Sequence, residues 1–585
     1  MTDIRKVGII GVGPRGGYAT ERLIIELTEQ KSLSKIHLSL FESTGNFGNG
    51  QVYNTQQNSS NWINITERIL ELHRREAIET STLRISSFPS YHEWIKKDFN
   101  ILPIDTIYTY PPRAYIGKYL SQRFQSLVQP LIDSDIVSLH NDRVKEINRL
   151  DNNKIEITTC SNTYIEFDEV LLTIGHQLTE LSQQMKNWSE FADGKPNIKL
   201  FKTPYPVSNY LNHENLNDKS VIGIRGFGLA MIDVVRAVAN RFGRFIINDK
   251  PTQSCIFQSK VDITNMFVPF SLDGLPPVPK PLNAQIDNWF EPSESDILKF
   301  EQQIKDKKIQ EEAESPHFLI AAFAPIAAVI YSKLPHAINP QNLSVGAIEN
   351  LIVKWLEDQT FEHPLITPRN QSARKSMEEF VGMAVGKREI SLDYCIGQVW
   401  RHCQPSIYKA LSFNNCSDSV FAEIIALDES TKRYSYGPPV ESIQQLLALS
   451  EAGVLNLNLV NDPTIELTKE GWQFQLDSQS IIATIMIDSV LDPPQIKSVR
   501  SSIVENLLVD DLIKVVHNKL GVETDESGYL ISQNKEKEIP IALLGRLAKG
   551  TIIGVDALLE CFGSRPRQWA KQAAKNHIDW LNKIK

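Results

Sequence analysis

The chain has 585 residues, with 61 Lys and Arg against 70 Asp and Glu, a net charge of −9 and a sequence pI near 5.8. At about 150 residues per domain this length holds roughly three to four domains, and the acidic balance supplies no field that would gather nucleic acid or anionic lipid. Six cysteines (Cys160, Cys255, Cys395, Cys403, Cys416 and Cys561) form no C-x-x-C pair, so neither a disulfide framework nor a metal site is expected, and a reducing compartment is the simpler setting.

The opening MTDIRKVGIIGVG is interrupted by Gly8, Gly11 and Gly13 and does not read as an export signal, which points to the cytoplasm. Val7 to Ile10 reads as a strand, followed by the spacing Gly11-x-Gly13-x-x-Gly16 and a helix-compatible stretch from Arg15. In that context Gly11 permits a tight turn, Gly13 lets the backbone approach a pyrophosphate, and Gly16 allows helix and strand to pack closely. Pro14 fixes φ early in the helix, and Arg15 can neutralise phosphate charge. The next strand, HLSLFE, ends on Glu42, where an acid can accept from both ribose hydroxyls. The polar loop QVYNTQQNSSNWINIT reads as a mobile segment, and the alternation ends at the strand DEVLLTIG.

From Asp218 the pattern restarts with SVIGIRGFG and a helix from Leu229 to about Val238. Gly226-x-Gly228 follows the strand, but Met231 stands where a third glycine or alanine would help packing, and Asp233 falls inside the helix. Residues 293–412 turn helical; the longest apolar run, Phe318 to Tyr331, is too short for the roughly 20 residues a bilayer needs and contains Pro325, so a buried or interface helix is expected. Trp400, Arg401, His402 and Cys403 sit on a helical pattern and read as a packed face. The stretch YGPPVESIQQLLALSEAGVL predicts a helix closed by Gly453, then strands at WQFQL and IIATIMID, and the tail IPIALLGRLAKGTIIGVDALLECFG reads as strand, glycine turn and helix.

The expected architecture is α/β, with two Rossmann-like dinucleotide-binding units and a helical insertion. The first unit is expected over 1–200, completed by 465–585; the second spans 201–292, and the helical insertion or cap 293–464.

The segments GVGPRGGYATERL, PPRAYIGKYL (Pro111 to Leu120) and LLTIGH (Leu171 to His176) together resemble bacterial FAD/NAD(P)-binding proteins with a G-x-G-P-R-G start, a group distantly similar to flavin-dependent N-hydroxylating monooxygenases. The resemblance continues through RGFGLAMID, SLDGLP and GPPVESIQQLLALSEAGVL. It implies a two-dinucleotide flavoprotein with FAD on Gly11, Gly13, Pro14, Arg15, Gly16 and Glu42, and NADH or NADPH approaching from Gly226 and Gly228. Thr173, Ile174 and Gly175 match the small-residue turn, usually A-T-G, that crosses over the cofactor. Gly545, Gly550, Gly554 and Asp556 resemble the closing segment that faces the isoalloxazine and ribityl chain. Leu272 and Asp273 replace the arginine that would hold a 2′-phosphate, which favours NADH.

Arg113 and His176 are the candidate catalytic residues, whereas Tyr115 and Tyr119, four apart on one helix face, read as packing. The function implied is an FAD-dependent oxidoreductase, foremost a monooxygenase using NAD(P)H and oxygen on a small molecule, with an amine or amino acid suggested by the N-hydroxylase likeness. Two alternatives stay open: a flavin oxidase or dehydrogenase without nicotinamide, and a nucleotide-binding regulatory protein. No nucleic acid or membrane partner is expected.

Overall fold

The computed structural model describes residues 3–339, 342–491, 495–509, 512–532, 539–555 and 557–584. The first unit contains β1 (Arg5–Ile10), α1 (Pro14–Glu29), β2 (Ile36–Phe41), α2 (Arg113–Asp133), β3 (Val137–His140) and β4 (Glu169–Leu172). The second contains β5 (Lys199–Phe201), β6 (Ile222–Arg225), α3 (Leu229–Phe242) and β7 (Phe267–Phe270). Helices then dominate from Glu294 to Glu451, among them α4 (His317–Lys333), α5 (Leu392–Leu411) and α6 (Val440–Glu451). The chain closes with β8 (Ile485–Asp488), β9 (Ile541–Leu543) and α7 (Ser564–Lys583).

Both nucleotide units are built on parallel sheets. The first has the order β9-β4-β1-β2-β3, so the strand order reverses at β1, and the Gly11 loop emerges at that switch point. Its strands are apolar on both faces because helices and a three-stranded antiparallel meander (residues 144–167) cover them, as a parallel sheet requires. Leu23, Ile24 and Leu27 of α1 share a core with Trp569, Ala570, Ala573 and Ala574 of α7, so the last helix seals the first one.

The second sheet has the order β5-β8-β6-β7, all parallel. This corrects the expected return to the first unit at residue 465: β8 pairs with β5 and β6, and a meander at 464–483 packs Trp472 and Phe474 against the same sheet. Only from β9 onward does the chain rejoin the first sheet. IIATIMID likewise splits at Thr484 into an outer meander strand (Gln479–Ala483) and β8.

The expected helix in the tail is also displaced. After β9 the chain runs irregularly, with Gly545 at φ +110° and Gly554 at φ +76°, and regular α-helix begins only at Ser564. The apolar run at Phe318–Tyr331 lies in α4, which buries Phe323 against Trp400 at a ring separation of 5.0 Å. No helix among the described residues is long and apolar enough to cross a membrane.

Candidate active site

Gly11 has φ +87°, and a Cβ there would lie 2.7 Å from the carbonyl oxygen of Thr173, the residue directly after β4. Gly16 is equally constrained, since a Cβ would fall 2.5 Å from the Gly11 oxygen. Gly13 differs: the nearest atom to its missing Cβ is 3.6 Å away, so the loop surface there is bare. It is also the N-cap of α1 and has no side-chain capping bond, which leaves the positive end of the helix open to an anion.

Arg15 is buried rather than solvated. Its Nη2 donates to the Val555 carbonyl at 2.9 Å, while Nη1 is buried without a partner. An orphaned guanidinium nitrogen beside an uncapped helix start fits a phosphate group, so the residues present suit FAD. Glu42 is buried directly after β2 and accepts through Oε1 from the Thr44 hydroxyl (2.8 Å) and backbone N–H (3.2 Å), which orients the carboxylate at the cavity wall.

Gly11, Gly13, Pro14, Arg15, Glu42, Thr173, Ile174 and Gly175 all line one cavity of about 1690 Å3. A drug-sized ligand site is typically about 300–1,000 Å3, so this volume leaves room for a substrate beside a cofactor. The Thr173 hydroxyl donates to the Gly11 carbonyl and so pins the glycine loop, and its role is to position that loop. Gly175, at φ +66°, has open space around its missing Cβ. Gly554 lies behind the wall, where a Cβ would come within 2.1 Å of the Tyr408 ring; its glycine requirement is packing, and its neighbour Val555 faces the cavity instead. Asp556 lies outside the described residues.

The second loop repeats the backbone hydrogen bonds of the first at its turn. Gly11 N–H donates to Phe41 O and Gly226 N–H to Phe270 O, each at 2.8 Å, and the crossing residues Thr173 and Ser489 donate to Ile10 O and Arg225 O, again each at 2.8 Å. Gly226 has φ +106° with Ser489 Oγ 2.7 Å from its missing Cβ, and Gly228 is an uncapped N-cap with nothing within 4 Å. Met231, in the position of the third glycine, is fully buried in the helix–sheet core. By this register Ser271 occupies the position of Glu42, with Asp273 two residues on. Gly226 and Gly228 do not line the large cavity, but Leu229, Ile232, Asp233 and Arg236 of α3 do.

Arg113, at the start of α2, joins the units: its Nη2 donates to Asp233 Oδ2 at 3.4 Å, its Nε to the Trp62 carbonyl at 3.3 Å, and its guanidinium lies 5.3 Å from the centre of the Tyr205 ring. The Tyr205 hydroxyl donates to the same Asp233 oxygen at 2.6 Å. Burial raises the Asp233 carboxyl above its ordinary range against the pull of Arg113 and Tyr205. Arg236 stacks on Trp62 at 3.4 Å, and burial pushes it down to about 10. His176 accepts at Nδ1 from Arg546 at 3.1 Å, a pairing with the C-terminal segment that no local sequence signal announces.

At the opposite wall lie residues that the sequence reading missed. Arg401 and His402 line the cavity, whereas Trp400 and Cys403 face the helical core. Asp287 accepts from Arg401, from His402 Nε2 at 3.3 Å and from the Tyr108 hydroxyl at 3.2 Å. Burial alone would raise the Asp287 carboxyl, but Arg401 and His402 hold it well below the usual carboxylate range. Lys280 lines the same wall. Tyr115 and Tyr119 pack with Trp94, at ring separations of 5.1 and 5.6 Å.

Residues 8–177 match a family model described as FAD-NAD(P)-binding. Over 518 residues, 83% of both chains, the protein is 23% identical to YdhS, an uncharacterized protein of Escherichia coli K12. It is 25% identical over 242 residues to nitrosuccinic acid synthase of Aspergillus oryzae, a match covering 41% of this chain and 36% of that one. Among solved structures, L-lysine 6-monooxygenase from Pseudomonas syringae is similar with a TM-score of 0.46 and 12% identity, over 98% of this chain and 100% of the other.

Proposed function

We propose that the protein is an FAD-dependent monooxygenase of the cytoplasm that draws electrons from a nicotinamide nucleotide and oxygenates a small, nitrogen-bearing molecule. The observation that carries this reading is the repetition of one turn geometry at Gly11 and Gly226, with the helix after each loop contributing to the wall of one cavity. The flavin supplies electron transfer and oxygen activation when bound. The chain's own residues bind and enclose. The open N-terminus of α1 and the orphaned Arg15 nitrogen receive phosphate, Glu42 receives ribose hydroxyls, and Arg113 with Asp233 braces α2 against α3. The likeness to an enzyme named nitrosuccinic acid synthase supports a small nitrogen-bearing substrate.

We further infer that the second loop prefers NADH. Ser271 and Asp273 stand at the strand end where a 2′-phosphate would arrive, and a carboxylate there repels it.

Anaerobic stopped-flow mixing tests both points. NADH is expected to bleach the flavin band, faster than NADPH does at equal concentration. Persistence of the oxidised spectrum with saturating NADH and NADPH would sink the monooxygenase reading. Gly228→Val is expected to slow bleaching at least about tenfold, because a branched side chain fills the open approach at that N-cap while the flavin content stays that of the wild type.

A further inference from the structure

We propose that Lys280 anchors a carboxylate of the substrate at the helical wall of the cavity, beside Arg401 and His402. This rests on the reading of that cavity as the substrate chamber.

Lys280 is held by its backbone. It lies between Pro279 and Pro281, which restrict the chain on either side, and its own N–H donates to Pro438 O at 3.1 Å. Its Nζ donates to the Asn64 carbonyl, on the loop that crosses from the first unit. An ammonium carries three donors, so two remain for a ligand.

The charges around it do not balance. Asp287 is the acid acting on Lys280, and its two oxygens are already taken by Arg401, His402 and Tyr108. Of the other titratable groups lining this wall, Tyr108 and Tyr110 stay neutral phenols because burial pushes them up, His402 shares the Asp287 carboxylate, and Glu291 is exposed to solvent. Lys280 and Arg401 together are two cations against the Asp287 carboxylate, to which His402 is also bonded, so this wall carries an excess of positive charge. A lysine needed only to tether the Asn64 carbonyl would carry a desolvation cost that a neutral donor avoids. Positive charge that Asp287 does not neutralise, presented as N–H donors, suits a carboxylate.

Burial, and next the Arg401 charge, push the Lys280 ammonium down to about 7, while Asp287 pulls it the other way. A bound anion restores the charged form. The sign follows: anion binding is full below pH 7, where Lys280 is charged, and weakens as the pH rises through that value.

The test uses calorimetry on the FAD-loaded protein with oxidised flavin and no nicotinamide, titrating succinate, putrescine and inorganic phosphate at pH 6 to 8.5. Succinate is expected to bind in preference to the other two, with affinity falling about tenfold per pH unit above pH 7, the slope for one coupled proton. Lys280→Met is expected to weaken succinate at least about tenfold at pH 6 and to flatten the profile. Lys280→Arg, which keeps a permanent charge, is expected to retain binding with a flat profile, so the test stands even if the methionine variant does not fold. Preference for putrescine or phosphate overturns the proposal, as does a succinate affinity unchanged in Lys280→Met or a pH slope unchanged in either variant. A protein that binds succinate in this way yet is not bleached by NADH would keep this inference and lose the monooxygenase reading.

Discussion

Gly11→Ala is expected to destroy flavin binding and destabilise the protein by about 2–3 kcal/mol, whereas Gly13→Ala is expected to lose the flavin alone. The two glycines are two residues apart but are constrained by different partners. Gly11 is held at φ +87°, where a Cβ is strained by about 1–2 kcal/mol, and that Cβ would lie 2.7 Å from a backbone oxygen that cannot move without shifting β4. Gly13 is at φ −79°, which any residue adopts, and its nearest neighbour, Gly50 Cα, is an ordinary contact. The Gly13→Ala protein without cofactor is therefore expected to melt within about 0.5 kcal/mol of the wild-type protein stripped of flavin. The added methyl stands where phosphate must approach, and each ~1.4 kcal/mol of lost contact lowers affinity tenfold. Absorbance of the purified variants and a fluorescence titration with FAD measure both effects. A Gly13→Ala protein that binds FAD as tightly as wild type would show that the pyrophosphate does not cross this loop.

Glu21→Ala is expected to cost about 3–5 kcal/mol in urea unfolding, more than any surface charge in the chain. Glu21 is buried on α1 and accepts two charge-assisted bonds from Arg123 of α2, Nη2 to Oε1 at 2.7 Å and Nε to Oε2 at 2.9 Å, with Arg75 Nη1 3.8 Å away. Removing the carboxylate leaves two buried guanidinium groups facing each other without compensation, and the lost acceptors cannot be replaced by water in that core. Glu21→Gln keeps the shape and one acceptor and is expected to fall between wild type and alanine. Because α1 also carries the first glycine loop, the alanine variant is expected to release flavin at denaturant concentrations below those that unfold the second unit. A loss under about 1 kcal/mol would mean that the arginines find other partners.

The parallel α/β architecture and the first glycine loop were legible because strand, turn, helix and acid follow one another locally, and the register pairing Ile10 with Phe41 brings Glu42 to the loop. The second loop looked eroded only at Met231. That position governs how closely helix and strand pack, and the turn itself is set by Gly226 and by Ser489, a residue more than 250 positions away that no local pattern connects to it. The Lys280 wall was illegible for the same reason. Asn64 lies 216 positions from Lys280, and Arg401 lies 114 from Asp287, so nothing local connects them. Pro279 and Pro281 flank Lys280, but the local sequence says nothing of the space it faces. Arg401 and His402 were absorbed into a packed face because their neighbours Trp400 and Cys403 do face the helical core.

The pairing of β9 with β4 sets a schedule for synthesis. The first sheet also holds Arg5 against Glu169, and that carboxylate accepts from Tyr529 at 2.6 Å and from Asn576 at 3.3 Å. Arg15 bonds Val555, and α7 covers α1. A ribosome adding about 5–20 residues per second needs on the order of 20 to 75 seconds between β4 and β9. Throughout that interval the edge of β4 lacks its native partner, and the part of α1 that packs on α7 lacks that cover. The unit that carries the first glycine loop is thus expected to be complete only once the C-terminal strand and helix have emerged.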